Sequence, residues 1–437
     1  HEFTVTATAM GLSLNPVLVL LALVMGAQAR PGRSTIQRWI QAAGHAAGRV
    51  LKHLDRRCQA WVLVGCRAEI FFHRRPVLVG VEPASMVWFL GQKAEDRTGA
   101  TWSKALSDWT ALSYVLADAG TGLQAGIAAV PQQRQKDARP ALENGLDVFH
   151  TTQEAQRVLR LIWTRVERLW EQAEAASRRV EPAQLQGPEA RGVAVVARSA
   201  WKEAEAAFRQ YEHSEAGWKI APAALQVFRP DGQLNDRSWA RPQSALALPQ
   251  LSGREWSKVR GFLQTDATWP FLDRLPRRLE EAEPEPEWRA ELVRLWWQRR
   301  QRPRATAPGA VGGSGHVAHL VQQVVCHQTD ANWLVSYRAV ARVLRQTVRA
   351  SSAVECMHSV IRMHQARHRT LTQGLLDRKR LYWNCREFPE GRRRGRCPSE
   401  HLGLKPPSYD VWGLLQGEML TAIAEAKAKA KVKARAA

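Results

Sequence analysis

The sequence predicts an α/β core interrupted by a helical insertion, and three observations predict it. Short β-rich runs separated by turn-sized gaps fill residues 68 to 90. The apolar run Tyr114-Val115-Leu116-Ala117 then ends on Asp118 and turns through Gly120 and Gly122 toward a helix. From residue 153 onward strand signals nearly vanish, and apolar residues recur instead at helical spacing.

At the N-terminus, Pro16 to Met25 followed by Gly26-Ala27-Gln28-Ala29 has the apolar stretch and small-residue end of a secretory signal, without a basic segment before it. A buried helix that stops at Pro31-Gly32 is the preferred reading. Ser34 is then an N-cap candidate for a helix beginning Thr35-Ile36-Gln37-Arg38-Trp39-Ile40. Two helices across a short Pro-Gly turn outline a helix-turn-helix over residues 1–58, with Arg33, Gln37, Arg38 and His45 as groove or phosphate contacts. Two packed helices with a solvated basic face are the alternative. The chain begins with His1, which leaves room for an upstream segment holding part of that unit.

Ala68-Glu69-Ile70-Phe71-Phe72, Pro76 to Val81 and Met86 to Leu90 read as three strands, with Glu82 closing the second. A short helix and the strand ending on Asp118 follow. Gly145-Leu146-Asp147-Val148-Phe149-His150 is a fifth strand candidate, so residues 59–152 form the first part of the core. Far downstream, Ser352-Ala353-Val354-Glu355-Cys356-Met357 is a helix whose single acid stands in a chain of formal net charge +22.

In this strand order, in Leu116-Ala117-Asp118-Ala119-Gly120, in Asp147-Val148-Phe149-His150 and in Ser352-Ala353-Val354-Glu355, the chain resembles the RNase H-like DDE transposases of bacterial insertion sequences. The resemblance implies an RNase H-like core with a mixed five-stranded sheet, split by an all-α insertion over residues 153–340 and resumed over 341–415. It implies Asp118 and Glu355 as the second and third acids of a set of three. Such a set holds two Mg2+ (or Mn2+) ions for in-line phosphoryl transfer, and hard cations of this kind take oxygen ligands. It further implies cleavage of element ends and their joining to target DNA, double-stranded DNA as partner at both, and self-association into a homo-oligomer. The first-acid position falls on Ala68, which has no carboxylate, and natural decay or deliberate inactivation each explain it. Glu69 would point to the opposite face of the strand, because side chains alternate. It and Glu82 are the substitutes within reach. His358 stands where the family tends to have Asn. A catalytically silent, transposase-derived DNA-binding protein is the alternative function.

Within the insertion, Val158, Leu161, Ile162, Val166 and Leu169 have helical spacing. Residues 220–254 are rich in Pro, Gln and Ser, Glu280 to Glu287 reads as a solvated acidic linker, and Pro303 to Gly315 as a second linker. Trp296-Trp297 beside Arg299-Arg300 would either stack on an unpaired base or, as preferred, pack in a core. After Glu355 come Arg362, His364, Arg367, His368 and Arg369, and then the cluster Arg392-Arg393-Arg394-Gly395-Arg396, all candidates for phosphate contact. Cys385, Cys397 and His401 are a weak zinc signal at irregular spacing. Residues 416–437 form a basic tail.

The 437 residues include 63 Lys plus Arg against 41 Asp plus Glu, and 45% are hydrophobic. A sequence pI near 10.5 favours an anionic partner. Nucleic acid is preferred to membrane, since no segment supplies the roughly 20 apolar residues of a spanning helix. Six scattered cysteines without a Cys-x-x-Cys pair suit reduced thiols, so a cytoplasmic location is expected, and the resemblance implies a bacterial, nucleoid-associated one.

Overall fold

The computed structural model describes residues 1–72, 74–117, 125–126, 130, 142–180, 187, 190–301, 314–367, 371–406, 408 and 410–419, without the side chains of residues 190, 314, 315, 366, 367 and 392. The fold is α/β, with one mixed five-stranded sheet among helices. It divides into two compact units: His1–Gly145 with Ala350–Ala437, and Leu146–Arg349.

In the first unit, α1 (Glu2–Ala9), α2 (Leu14–Met25) and the long α3 (Arg33–Cys58) precede the sheet. Val17 and Leu21 of α2 pack with Ile36 of α3. Leu23, Val24 and Met25 are exposed, so only the inner side of the expected buried helix is buried. The N-cap of α3 is Gly32, and Ser34 lies inside the first turn, a correction of one element end. Arg33 Nη1 donates to Asn15 Oδ1 at 3.2 Å, which ties the start of α3 to α2. Residues 1–58 share one compact unit with the sheet.

The strands are β1 (Val64–Phe72), β2 (Arg75–Val81), β3 (Trp88–Lys93), β4 (Tyr114–Ala117) and β5 (Glu143–Leu146), with α4 (Gly99–Leu106) between β3 and β4. Their order across the sheet is β3-β2-β1-β4-β5. β2 is antiparallel to β1 and β3, and β4 runs parallel to β1. The β1–β2 register is regular from Cys66 opposite Val81 to Phe72 opposite Arg75. Alternation therefore sets two faces on β1. Gly65, Arg67 and Glu69 face the α4 side, where Leu112, Phe89 and Trp102 meet them. Cys66 and Ala68 face the other side, and Cys66 Sγ lies 3.9 Å from the Ala350 carbonyl oxygen.

The second unit opens with α5 (Val148–Ser177) and α6 (Ala190–Ala224). The two run antiparallel, since Trp201 Nε1 donates to Ser177 Oγ while Trp163 meets Tyr211. α7 (Arg237–Ala247) and α8 (Ser257–Gln264) close a core with them around Val158, Ile162, Trp218, Trp256 and Trp269. α9 (Pro270–Ala282), α10 (Pro286–Gln301), α11 (Ser314–Thr329) and α12 (Trp333–Arg345) share a second core with Leu275, Leu292, Trp296, Val340 and Leu344. This unit is wider at both ends than the expected insertion. Among its described residues it contains helices and one isolated bridge, Phe228 to Leu234.

Two expectations are corrected here. The fifth strand ends at Leu146, because the Asp147 carboxylate accepts from Phe149 N at 2.8 Å and starts a helix that takes in Val148, Phe149 and His150. The acidic run from Glu280 to Glu287 is mostly helix: α9 continues to Ala282 and α10 begins at Pro286, where a missing N–H is harmless. The Pro-, Gln- and Ser-rich stretch 220–254 contains α7. Trp296 is buried and stacks on Phe228 at 5.3 Å between centroids, so it serves the core. The second linker lies outside the described residues, apart from the backbone of Ser314 and Gly315 at the start of α11.

The first unit resumes with α13 (Ser352–Arg367), α14 (Gln373–Cys385) and the short α15 (Pro398–His401). α13 lies against β1 and β2, and α14 against α3 and β3. β3 is an edge strand, and edges left bare invite pairing with other chains. Side chains of α14 satisfy it instead. Asn384 Oδ1 accepts from Trp88 N at 2.9 Å and its Nδ2 donates to Trp88 O at 3.0 Å. Arg380 Nε donates to Trp88 O at 2.7 Å, Trp383 Nε1 to Met86 O at 2.9 Å and Gln373 Nε2 to Gly91 O at 2.9 Å.

Candidate functional site

The sequence places its candidate acids at positions 68, 69, 82, 118 and 355. Ala68 sits in mid-β1, almost fully buried on the face opposite Trp102. Glu69 lies on the α4 face, as alternation requires, and is engaged there. Trp102 Nε1 donates to its Oε1 at 2.9 Å, and Arg97 Nη1 is 3.5 Å from its Oε2. Arg97 in turn covers the Phe71 ring, and the buried Arg67 covers Trp102. No bulge in β1 re-aims Glu69 toward the side of Ala68.

Glu82 is the acid of a tight turn between β2 and β3. Its carboxylate accepts from Ala84 N at 3.2 Å, from Ser85 N at 2.6 Å and from Ser85 Oγ at 2.5 Å. The same turn holds Met86 at φ 68°, a left-handed conformation that a side chain rarely adopts. Glu82 thus holds the loop's backbone donors.

Glu355 lies in the first turn of α13, partly exposed, with Oε1 at 3.5 Å from His358 Nδ1. His358 is buried, and its Nε2 has no hydrogen-bond partner among the described residues. Asp118 lies outside the described residues. Among the described residues, no group of three or more His, Cys, Asp or Glu side chains converges as a metal site. Among the described candidates, Ala68 has no donor to offer, Glu69 and Glu82 are engaged elsewhere, and Glu355 lies against His358, so these residues by themselves do not hold a pair of divalent cations. The zinc candidates do not converge either. Cys385 and Cys397 are buried, burial pushing the Cys385 thiol up to about 12, and His401 Nε2 faces the Arg393 carbonyl oxygen at 3.2 Å.

The basic candidates divide. Arg33, Gln37, Arg38 and His45 are exposed on α3, together with Lys52, His53, Arg56 and Arg57. Arg362 and Arg394 are exposed as well. Arg393 donates from Nη2 to Pro83 O at 3.2 Å and Ala84 O at 3.0 Å, so it braces the Glu82 turn. His364 is buried. Arg369 and His368 lie outside the described residues, as do the side chains of Arg367 and Arg392 and all of the tail beyond Glu418 and Met419.

Two features carry no signal that sequence reasoning used. One is a cleft of about 730 Å³ lined by His45, Lys52 and Asp55 of α3, Lys104 of α4, Asp108, and Asp377 of α14. Burial raises the carboxyl pKa of both Asp55 and Asp377, against the opposing pull of Arg380 on each. The other is the row of consecutive buried cations Arg378-Lys379-Arg380 on α14. Arg380 pairs with Asp55, and Arg378 Nη1 donates to Thr8 Oγ1 at 2.7 Å. Lys379 lies 6.0 Å from the centre of the Tyr382 ring.

The class that fold and site define is an α/β protein with a mixed five-stranded sheet. The chain matches no protein-family model, no curated protein and no solved structure. No described helix is long and apolar enough to cross a membrane.

Proposed function

We propose that this chain is a DNA transposase of RNase H-like design whose strand-transfer chemistry is disabled at position 68. The observation that carries the reading is the sheet: three antiparallel strands, then β4, which leads to Asp118, parallel to β1, with the Glu355 helix packed on β1 and β2. That arrangement agrees with the mixed five-stranded core the sequence resemblance implies. Charge supports the polyanion partner. The first unit holds 33 of the 63 Lys and Arg and only 18 of the 41 acids, and exposed cations line α3.

A second reading, a silent DNA-binding relative, is favoured by the engagement of Glu69 and Glu82. Both readings predict DNA binding that weakens steeply with salt, because each phosphate contact releases counterions. They separate on chemistry. Duplex fragments from either flank of the chain's own gene are incubated with magnesium or manganese and with the chain as written, Ala68→Asp, and Ala68→Asp combined with Glu355→Ala. Cleavage or joining by Ala68→Asp that disappears with Glu355→Ala supports the transposase. An Ala68→Asp form that binds DNA yet stays inert in both metals leaves the silent relative. Failure to bind duplex DNA at low salt removes both.

A further inference from the structure

Helix α11 is built inside out. Its inward stripe is His319, Gln322 and Cys326, all buried, with Gln322 Nε2 donating to the Glu291 carboxylate. Its outward stripe is apolar: Val317 is 55% exposed, Leu320 45%, Val321 57% and Val324 54%. These positions recur at intervals of three and four, so they share one face of the helix. Val325, and then Leu334 and Val335 on α12, are exposed as well. From Ser314 to Thr329 there is no Lys, Arg, Asp or Glu, in a chain of net charge +22.

We propose that α11 is the contact between two copies of this chain, helix against helix across the stripe Val317, Leu320, Val321 and Val324. Charge selects the occupant. Two strongly cationic chains repel, and a helix with no formal charge lets them approach without bringing like charges together. An apolar stripe is also its own complement under a two-fold axis, since Val and Leu meet Val and Leu. A nucleic acid is a poor occupant, because the helix has no Lys or Arg for the phosphates. A row of exposed branched side chains along one helix face marks a contact surface. The contact is independent of the chemistry assigned to the first unit.

Sedimentation velocity on the nuclease-treated full chain tests it, at about 0.5 M salt, where bridging by residual nucleic acid is screened. The expected result is a dimer at micromolar concentration that persists at high salt. Val321→Lys raises its dissociation constant by about tenfold or more, with unchanged circular dichroism and melting because the side chain is exposed. Val321→Glu does the same, and mixing the two variants regains a dimer that neither forms alone. A wild-type chain that stays monomeric at high micromolar concentration overturns the proposal. So does a Val321→Lys dimer as tight as wild type, or a mixture that remains monomeric.

Discussion

Lys379 shows how one buried charge sets a pH dependence. It is nearly inaccessible on α14, and burial, with Arg386 nearby, lowers its pKa from 10.5 to about 8. Between those two pH values the unfolded chain holds a proton that the folded chain has given up. Stability from this group therefore rises as pH climbs from 8 to 10.5, and below 8 the folded state bears the full cost of the buried ammonium. Lys379→Met removes that cost and keeps the packing against Tyr382. The variant should be more stable than wild type at pH 7 by on the order of 2 kcal/mol. The gap should close toward pH 10.5, the unfolded value. Urea unfolding of both forms at several pH values reads the difference, and a gap that does not depend on pH would put the effect elsewhere. The same residue-scale logic applies to Glu69, whose orientation is legible from strand alternation alone. Its partners Trp102 and Arg97 are not, since one lies on a helix and the other in the loop before it.

At the scale of elements, β3 depends on a helix far along the chain. Asn384 makes both hydrogen bonds of a missing strand neighbour to Trp88, and all three groups are buried. Asn384→Ala leaves the Trp88 N–H buried without an acceptor, a loss of about 2 kcal/mol in urea unfolding. Trp88 O keeps its bond from Arg380, which limits the damage. A measured loss below a few tenths of a kcal/mol would mean that water reaches the edge. The three strands of the first hairpin region and β4 are readable from β-rich runs, because local composition and the fold agree there. Three other features were not. Asp147 serves equally as a strand residue or as a helix N-cap, and only its bond to Phe149 N decides. Gln373, Arg380 and Asn384 share a helix face that reads as polar surface, yet that face is spent on β3. Val317, Leu320, Val321 and Val324 have the spacing of a core face, yet all four are exposed.

For the whole molecule, the informative number is how the ends of the second unit meet. Val148 N donates to Arg349 O at 3.0 Å, so the chain leaves this unit where it entered. A segment with joined ends and its own cores behaves as an inserted domain, and such domains tolerate excision. Expressed alone, residues 146–349 should melt in one cooperative transition with a helical circular dichroism spectrum. Two charge balances then follow. The second unit holds 30 Lys and Arg against 23 acids, while the first holds 33 against 18. Because counterion release scales with phosphates neutralised, the isolated second unit should bind duplex DNA more weakly than the full chain, with a shallower dependence on salt. Anisotropy titrations of a labelled duplex across a salt series measure both slopes. Equal slopes would place the proposed nucleic-acid contact on the helices of the second unit instead of on α3.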